Sequence, residues 1–302
     1  MAQEQSDLAN RFAAYLGAVH PAVLRDAAPI LSDLLAGTDR SPGAQGIETL
    51  REPFRRRLQA ALLEGGPPSD STIPGFDPAE EAGARIDMIL EDCDGFLQRE
   101  AIRASLTSDE RREILRGMIV TREVDNQLKR FFLKSEVRYK GSQFQGKGFR
   151  SLGQEAIFAA PLRLRRGPEW SGPDGAWTGD MVAPMIRDLG AGLAMALDDE
   201  AVRQVLSAQM GKSGPPMNGK DFHIGDFHRG VLPPTAPLSI PTLTMAGLAL
   251  AYHREGTGRV AVSFIGEGGS SLGEWHEAIN LCAARKLPAI FCIENNQTAL
   301  ST

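Results

Sequence analysis

Residues 260–269 read VAVSFIGEGG and residues 289–296 read AIFCIENN, so two short apolar runs each end in polar residues. Apolar runs of this length that stop at glycine or asparagine are typical of buried strands. Glu267 and Asn296 follow these runs and lie 29 residues apart, about the length of one βαβ unit. The spacing therefore predicts two parallel strands in a covered sheet, with both side chains at its carboxyl edge.

Helical and loop patterns alternate around these strands in the C-terminal two thirds of the chain. Apolar periodicity and glycine or proline breaks predict helices at about 107–134, 151–163, 189–197, 199–210, 243–253 and 272–285, with loops at 180–188 and 211–239. Strands that are joined through helices in this way lie parallel to each other. The predicted fold class is therefore α/β, a mostly parallel sheet flanked by helices.

The N-terminal third of the chain has a different pattern, which is helical without strand signals. A helical apolar face recurs at Phe12, Tyr15, Leu16 and Val19. Pro/Gly-rich stretches follow, and a further helix is predicted at about 78–104. We therefore expect an accessory helical region at 1–105 and an α/β domain at 106–302.

The composition is that of a soluble globular protein. The 302 residues are 42% hydrophobic and 24% charged, and the net charge is −5. This balance argues against nucleic acid or an anionic membrane as a partner. Three cysteines form no disulfide framework, the N-terminus resembles no targeting peptide, and no apolar stretch approaches the ~20 residues that span a bilayer. The expected location is the cytoplasm.

The strand ends carry the residue types of a magnesium–diphosphate site. In open α/β sheets, ligands bind beyond the carboxyl ends of the strands. Glu267 and Asn296 would give a hard cation two oxygen ligands, and Gly268 and Gly269 would let the backbone approach a phosphate. A helix that begins near Leu272 would favour the anion at its N-terminus. Each motif alone is also a common turn, so the prediction depends on both motifs at this spacing.

The same residues resemble a known family. Gly266-Glu267-Gly268 followed by Asn295-Asn296 resembles the thiamine diphosphate motif, usually written GDG and then NN about thirty residues later. The flanking sequence is similar to the alpha subunit of the 2-oxo acid dehydrogenases, the decarboxylating components of the pyruvate and branched-chain complexes. The matching residues are Gly153, Gln154, Glu155, Ala156, Arg187, Ala236, Pro237, Leu238, Gly273, Glu274, Glu277, Ala278, Asn280, Leu287, Pro288, Phe291 and Glu294. The resemblance covers about 115–302 and implies a thiamine diphosphate-binding fold.

The resemblance implies a magnesium ion and a diphosphate at the strand ends. Glu267, the Asn296 side chain and the Thr298 backbone carbonyl would bind Mg²⁺, and Gly268 and Gly269 would hold the diphosphate. Branched-chain members carry glutamate in the middle of the GDG motif, so the glutamate in this chain favours that branch.

The resemblance also gives roles to three residues elsewhere. Arg187 would reach a phosphate, although the family usually has Tyr-Arg where this chain has Ile186-Arg187. Leu238 would support the cofactor from below. His223 stands where the family has a histidine near the mouth of the active site, so it is the candidate catalytic residue.

The implied activity is oxidative decarboxylation of a 2-oxo acid, either pyruvate or a branched-chain acid. The acyl group would pass to a lipoyl group on an acyltransferase of the same multienzyme complex. A beta subunit or fused beta region would supply the activating glutamate, in a heterotetramer or a fused homodimer. The family also carries a histidine loop beyond Asn296, which this chain lacks. We therefore expect the chain to be C-terminally incomplete and inactive alone.

Two alternatives stay open at this level. The chain could be a truncated or degenerate cofactor-binding module that has no activity. It could also belong to another class of thiamine diphosphate enzyme, such as a transketolase-like or acetolactate synthase-like one. The residues at 153–156 and 236–238 favour the 2-oxo acid dehydrogenases.

Overall fold

A computed structural model describes residues 2–37, 42–65, 78–134, 136–143, 151–220 and 224–298. The chain divides into two compact units, Met1–Ser108 and Asp109–Thr302. Within the described residues, no helix combines the length and the apolar character that crossing a membrane requires.

The described residues of the N-terminal unit are helical. They form α1 (Ala2–Val19), α2 (Leu24–Ala36), α3 (Ala44–Gly65) and α4 (Pro78–Ser105). Phe12 and Leu16 of α1 are fully buried, and the Phe12 ring meets the Phe54 ring edge-on, 5.3 Å between centroids. Val19, which the sequence places on the same apolar face, is 46% exposed because it is the last residue of α1.

Charged pairs join the helices of this unit at the border of its core. Arg51 of α3 makes two hydrogen bonds of 2.8 Å to the Asp94 carboxylate of α4. Arg11 of α1 pairs with the buried Glu100 at 2.6 Å. Bidentate geometry makes such pairs directional, so they fix the relative rotation of the helices more than they stabilise the unit.

The second unit is an α/β domain. Its helices are α5 (Ser108–Leu133), α6 (Leu189–Met195), α7 (Asp199–Gln209), α8 (Ile240–Glu255) and α9 (Gly273–Arg285). Its strands are β1 (Arg138–Tyr139), β2 (Ser142–Gln143), β3 (Met181–Ala183), β4 (Ala261–Gly266) and β5 (Ala289–Glu294). Among the described residues, β3, β4 and β5 form a parallel sheet in that order, while β1 and β2 form a small hairpin. The predicted α/β class and the predicted parallel strands are confirmed.

The middle strand explains why the sheet is covered on both faces. Ala261 to Ile265 of β4 are all buried. Ala261 packs in one cluster with residues of α8 and α9, whereas Val262 and Phe264 pack in another with residues of α6. Successive side chains of a strand point to opposite faces, so a strand that is buried along its whole length needs cover on both sides.

Two predicted segments differ from the structure. The loop predicted at 180–188 contains β3, a strand of three residues that is too short to show a periodic pattern. The helix predicted at 151–163 is a 3-10 turn at Glu155–Ala159 between ordinary turns. Pro161 lacks a backbone N–H and therefore cannot continue an α-helix from this turn.

We predict that Phe12→Ala lowers the free energy of unfolding of the N-terminal unit by about 3–5 kcal/mol, because it leaves a cavity between packed aromatic rings. Val19→Ala, on the same helix, should change it by less than about 0.5–1 kcal/mol, since that side chain is half exposed. Urea unfolding followed by circular dichroism measures both. Equal losses for the two variants would contradict this assignment of the core.

Candidate functional site

Glu267 and Asn296 lie together at the carboxyl edge of the sheet. Strands β4 and β5 are paired in parallel, with Gly266 opposite Glu294, so both strands end at the same level. The Thr298 backbone N–H donates to Glu267 Oε1 at 2.7 Å and also to Asn296 Oδ1 at 2.9 Å. Two oxygens from adjacent strands therefore converge on one backbone hydrogen, and the structure brings this predicted pair together.

The chain after β5 forms a tight polar turn. Gln297 has a φ of 59°, in the left-handed region, and its N–H donates to Asn295 Oδ1 at 2.9 Å. Asparagine side chains often accept from the backbone two residues ahead in this way. Asn295 to Thr298 are exposed, so the convergent oxygens are open to a ligand from solution.

The loop between β4 and α9 is closed by serine hydroxyls and shaped by a close approach. Ser270 Oγ donates to the Glu267 carbonyl at 2.7 Å, and Ser271 Oγ donates to the Gly268 carbonyl at 3.0 Å. A Cβ at the buried Gly269 would lie 3.0 Å from Ile265 Cγ1, so a side chain would push the loop away from the strand. A 3-10 turn at Gly269–Ser271 precedes α9, which begins at Gly273, so the helix start predicted near Leu272 is confirmed.

Leu238 lies against the same loop. Its Cβ is 3.8 Å from the position that a Cβ on Gly269 would occupy, and its side chain is 48% exposed. The next residue, Ser239, is buried and donates to Glu274 Oε2 at 3.1 Å. This hydrogen bond ties the segment of Leu238 to the start of α9.

The structure says less about the other two predicted site residues, Arg187 and His223. Arg187 is exposed and follows the end of β3 at Ala183 by four residues, so it lies after the third strand of the sheet. His223 lies outside the described residues, and its catalytic role stays a sequence prediction.

A buried pair of carboxyl groups lies beside the convergent oxygens. Asp188, at the start of α6, is fully buried, and its side chain hydrogen-bonds to the side chain of Glu294 at the end of β5. Asp188 Oδ2 also accepts from the Met185 backbone N–H at 2.7 Å, and Gln154 Nε2 donates to Glu294 Oε2. Among the described residues, Asp188 Oδ1 and Glu294 Oε1 have no N–H donor. This arrangement fits two carboxyls that share one proton.

The pKa of Glu294 is raised to about 9. Burial is the largest cause, and the hydrogen bond to Asp188 and the negative charges of Asp188 and Glu267 add to it. Burial also raises the pKa of Asp188. At neutral pH the shared proton therefore rests on Glu294, which donates to Asp188, and the edge carries one negative charge fewer than its three carboxyls suggest.

No sequence pattern assigns a role to this pair. Glu294 belongs to the motif that ends in Asn296, and Asp188 lies at the end of a predicted loop. Asp188 follows β3 and Glu294 ends β5, and these strands flank β4 in the sheet. The two side chains therefore meet only after the sheet has formed. The sequence signal for this pair is a carboxylate at the end of an apolar run, because an ionised carboxylate is rarely buried without a partner.

The oxygen donors at this edge differ from a cluster of acidic or histidine ligands. Within the described residues, no group of three or more His, Cys, Asp or Glu side chains is arranged to hold a metal ion. The candidate set is one carboxylate and one amide oxygen, with room for backbone oxygen and ligand oxygen. Magnesium is commonly bound by one or two carboxylates together with phosphate oxygens, so these donors fit a phosphate-bound Mg²⁺.

We predict that the stability of the ligand-free chain, relative to Glu294→Gln, falls as pH rises from about 5 to about 9. The folded-state pKa of Glu294 lies above its ordinary value of 4.5, so the folded state holds an additional proton between the two values. The stability that this proton contributes is fully present below the ordinary pKa of 4.5. It is lost as the pH rises towards the folded-state pKa of about 9. Urea unfolding of both chains across this range measures it, and identical pH profiles would contradict the shared proton.

Comparison with known proteins identifies a family for the C-terminal part of the chain. The family described as "Dehydrogenase E1 component" matches residues 174–302. The alpha subunit of acetoin:2,6-dichlorophenolindophenol oxidoreductase from Cupriavidus necator is 36% identical over 126 residues, which are 41% of this chain and 37% of that protein. The pyruvate dehydrogenase E1 component subunit alpha of Staphylococcus aureus is 42% identical over 83 residues, which are 27% of this chain and 22% of that protein.

A longer and weaker similarity covers about two thirds of the chain. The 2-oxoisovalerate dehydrogenase subunit alpha of Bacillus subtilis is 27% identical over 199 residues, which are 65% of this chain and 54% of that protein. The chain thus spans between about a fifth and a half of the length of these curated relatives. Residues 174–302 thus match the dehydrogenase E1 component family, and the three relatives that share similarity with this chain are alpha subunits.

Proposed function

We propose that this chain supplies the magnesium–diphosphate half of a thiamine diphosphate site in an enzyme that oxidatively decarboxylates a 2-oxo acid. The observation that carries the proposal is the convergence of Glu267 Oε1 and Asn296 Oδ1 on the Thr298 N–H, beside a glycine loop that leads into α9. A cation that replaced this hydrogen as the positive partner of both oxygens would meet them on adjacent strands.

Each residue at the edge has a defined task in this proposal. Glu267 and Asn296 bind Mg²⁺ through side-chain oxygens, and the Thr298 carbonyl is the third protein ligand. Gly268 and Gly269 donate backbone N–H groups to the diphosphate, since neither residue carries a side chain of its own. The magnesium ion then shares its charge between Glu267 and the diphosphate oxygens.

Two further residues orient the cofactor. Arg187, which follows β3, provides a positive charge for a phosphate at the same edge. Leu238 is half exposed next to Gly269, so its side chain offers an apolar support for the ring system. When bound, thiamine diphosphate supplies the nucleophilic carbon and the electron sink for the loss of carbon dioxide. His223 remains the candidate acid or base at the mouth of the site.

The substrate and partners in the proposal follow from the names of the relatives. These name pyruvate, 2-oxoisovalerate and acetoin enzymes, and each is an alpha subunit. We propose pyruvate or a branched-chain 2-oxo acid as substrate, and a beta subunit or fused beta region as partner, in a heterotetramer or a fused homodimer. A lipoyl-bearing acyltransferase would accept the acyl group. The names favour this class over transketolase-like enzymes. The three free cysteines support a reducing, cytoplasmic location.

We predict that Mg²⁺ and thiamine diphosphate together raise the melting temperature of the chain more than either ligand alone, because each completes the binding of the other. Glu267→Gln keeps the size of the side chain and removes its charge, so it should weaken Mg²⁺ binding at least about tenfold. Asn296→Ala should have a similar effect, since it removes the second oxygen. Thermal shift and calorimetric titration measure both.

The matched control for this experiment is Glu255→Gln, which changes an exposed glutamate at the end of α8. It should bind both ligands as the unmodified chain does. The proposed site would be wrong if the ligand pair produced no shift in the unmodified chain, or if Glu267→Gln bound Mg²⁺ as tightly as the control.

We also predict that decarboxylation requires the beta partner. The chain with that partner should release carbon dioxide from pyruvate or a branched-chain 2-oxo acid and reduce 2,6-dichlorophenolindophenol, whereas the chain alone should not. The reason is that the activating glutamate lies in the beta part. Release of labelled carbon dioxide measures this, and turnover by the chain alone would contradict it.

A further inference from the structure

Gln154 makes a long-range contact that the proposed function leaves unexplained. Its Nε2 donates to Glu294 Oε2, across 140 residues of sequence. The residue belongs to the Gly153–Ala156 segment, where the sequence resembles the alpha subunits. The contact joins this segment to the end of β5, two residues before the candidate ligand Asn296.

Glu294 stands between Gln154 and the candidate ligands. Its side chain accepts from Gln154 and hydrogen-bonds to Asp188, while its backbone carbonyl accepts from the Glu267 N–H at 3.2 Å. A displacement of Glu294 would therefore move the Glu267 backbone directly and Asn296 through the chain.

The end of β5 needs such support, because β5 has one neighbouring strand among the described residues. Its Ile290 and Ile293 side chains are 46% and 55% exposed, so little packing holds them. The turn after β5 is held by its own asparagine side chains and by one hydrogen bond from the Thr298 N–H to Glu267 Oε1. The side chains of Gln154 and Asp188, which lie outside the sheet, add two contacts that tie this end to the rest of the domain.

Gln154 is itself held firmly, so it can act as an anchor. Its N–H donates to the Ser151 carbonyl at 2.8 Å, and Ser151 Oγ accepts from the Leu189 N–H at 3.3 Å. Leu189 follows Asp188, which meets Glu294, so the hydrogen bonds close a ring.

A salt bridge anchors the same segment to α5. Glu155 Oε1 accepts from Arg122 Nε at 2.5 Å and from the Gly153 N–H at 3.2 Å. The carboxylate of Glu155 is largely buried, so this pair is shielded from water on one side. The ring of hydrogen bonds is thereby connected to a long helix.

The chemistry at position 154 favours glutamine over glutamate, asparagine and leucine. An amide donates a hydrogen without adding charge, whereas a glutamate here would add a carboxyl beside Asp188, Glu267 and Glu294. Asparagine is one methylene shorter and would not reach, and leucine fills similar space without a donor. The geometry therefore selects for a neutral donor of this length.

We propose that Gln154 is a positioning residue of the magnesium–diphosphate site, and that it holds the end of β5 and Asn296 in place through Glu294. The proposal rests on the proposed function for the identity of the ligand. The hydrogen bond between Gln154 and Glu294 is present in the ligand-free chain, so its effect can be tested separately.

The first test measures Mg²⁺ affinity, at saturating thiamine diphosphate, in Gln154→Leu, Glu294→Leu and the double variant. Gln154→Leu should weaken Mg²⁺ binding about tenfold. The melting temperature of the ligand-free chain should change little. Because Gln154 acts through Glu294, the double variant should bind no more weakly than Glu294→Leu alone. Full additivity, or an unchanged affinity in Gln154→Leu, would overturn the proposal.

The control is Gln98→Leu, which removes another glutamine amide that donates to a carboxylate, at 3.0 Å from Asp94 Oδ2 in the N-terminal unit. It should leave the Mg²⁺ affinity unchanged. If this control weakened binding as much as Gln154→Leu, the effect would be general and the proposal would fail.

The second test is amide hydrogen exchange of the ligand-free chains. The Glu267 and Thr298 amides should exchange about tenfold faster in Gln154→Leu than in the unmodified chain, and at the unmodified rate in Gln98→Leu. If the unmodified chain binds neither ligand, the proposed function fails. This test still decides whether Gln154 holds the end of β5 in place. Unchanged exchange in Gln154→Leu would overturn it.

Discussion

The site depends on one pairing, the parallel alignment of β4 and β5 with Gly266 opposite Glu294. Parallel strands in register end at the same level, so the residues that follow them share one edge of the sheet. A shift of one residue would turn the side chains of β5 to opposite faces and would separate Glu267 from the turn after β5. The buried, two-faced packing of β4 opposes such a shift.

The edge concentrates acidic groups that would repel each other if all were ionised. Asp188, Glu267 and Glu294 lie within one network, and burial keeps the pKa of Glu294 near 9. Met185, Gln154 and Thr298 each donate a backbone or amide hydrogen to one oxygen of these three carboxyl groups. Glu267 is left as the charged group that faces the open side, where a divalent cation would balance it.

The two units of the chain differ in what is known of their relatives. The family match begins at residue 174, inside the second unit. Helix α5 and the turn that carries Gln154 lie before that match, although they belong to the same unit. Gln154 contacts Glu294 at the end of β5. The four helices of the first unit have their own core of apolar and aromatic side chains.

The sequence alone determined β4, α9 and β5, and it placed Glu267 and Asn296 at their ends, because these features depend on local apolar runs and their spacing. It did not reveal β3, whose three residues carry no period, or the 3-10 turn at Glu155–Ala159, where a proline ends the helical pattern. The contacts of Asp188 and Gln154 with Glu294 were decided by the tertiary structure. They join residues far apart in the chain, and only the order of the strands brings their side chains within hydrogen-bonding distance.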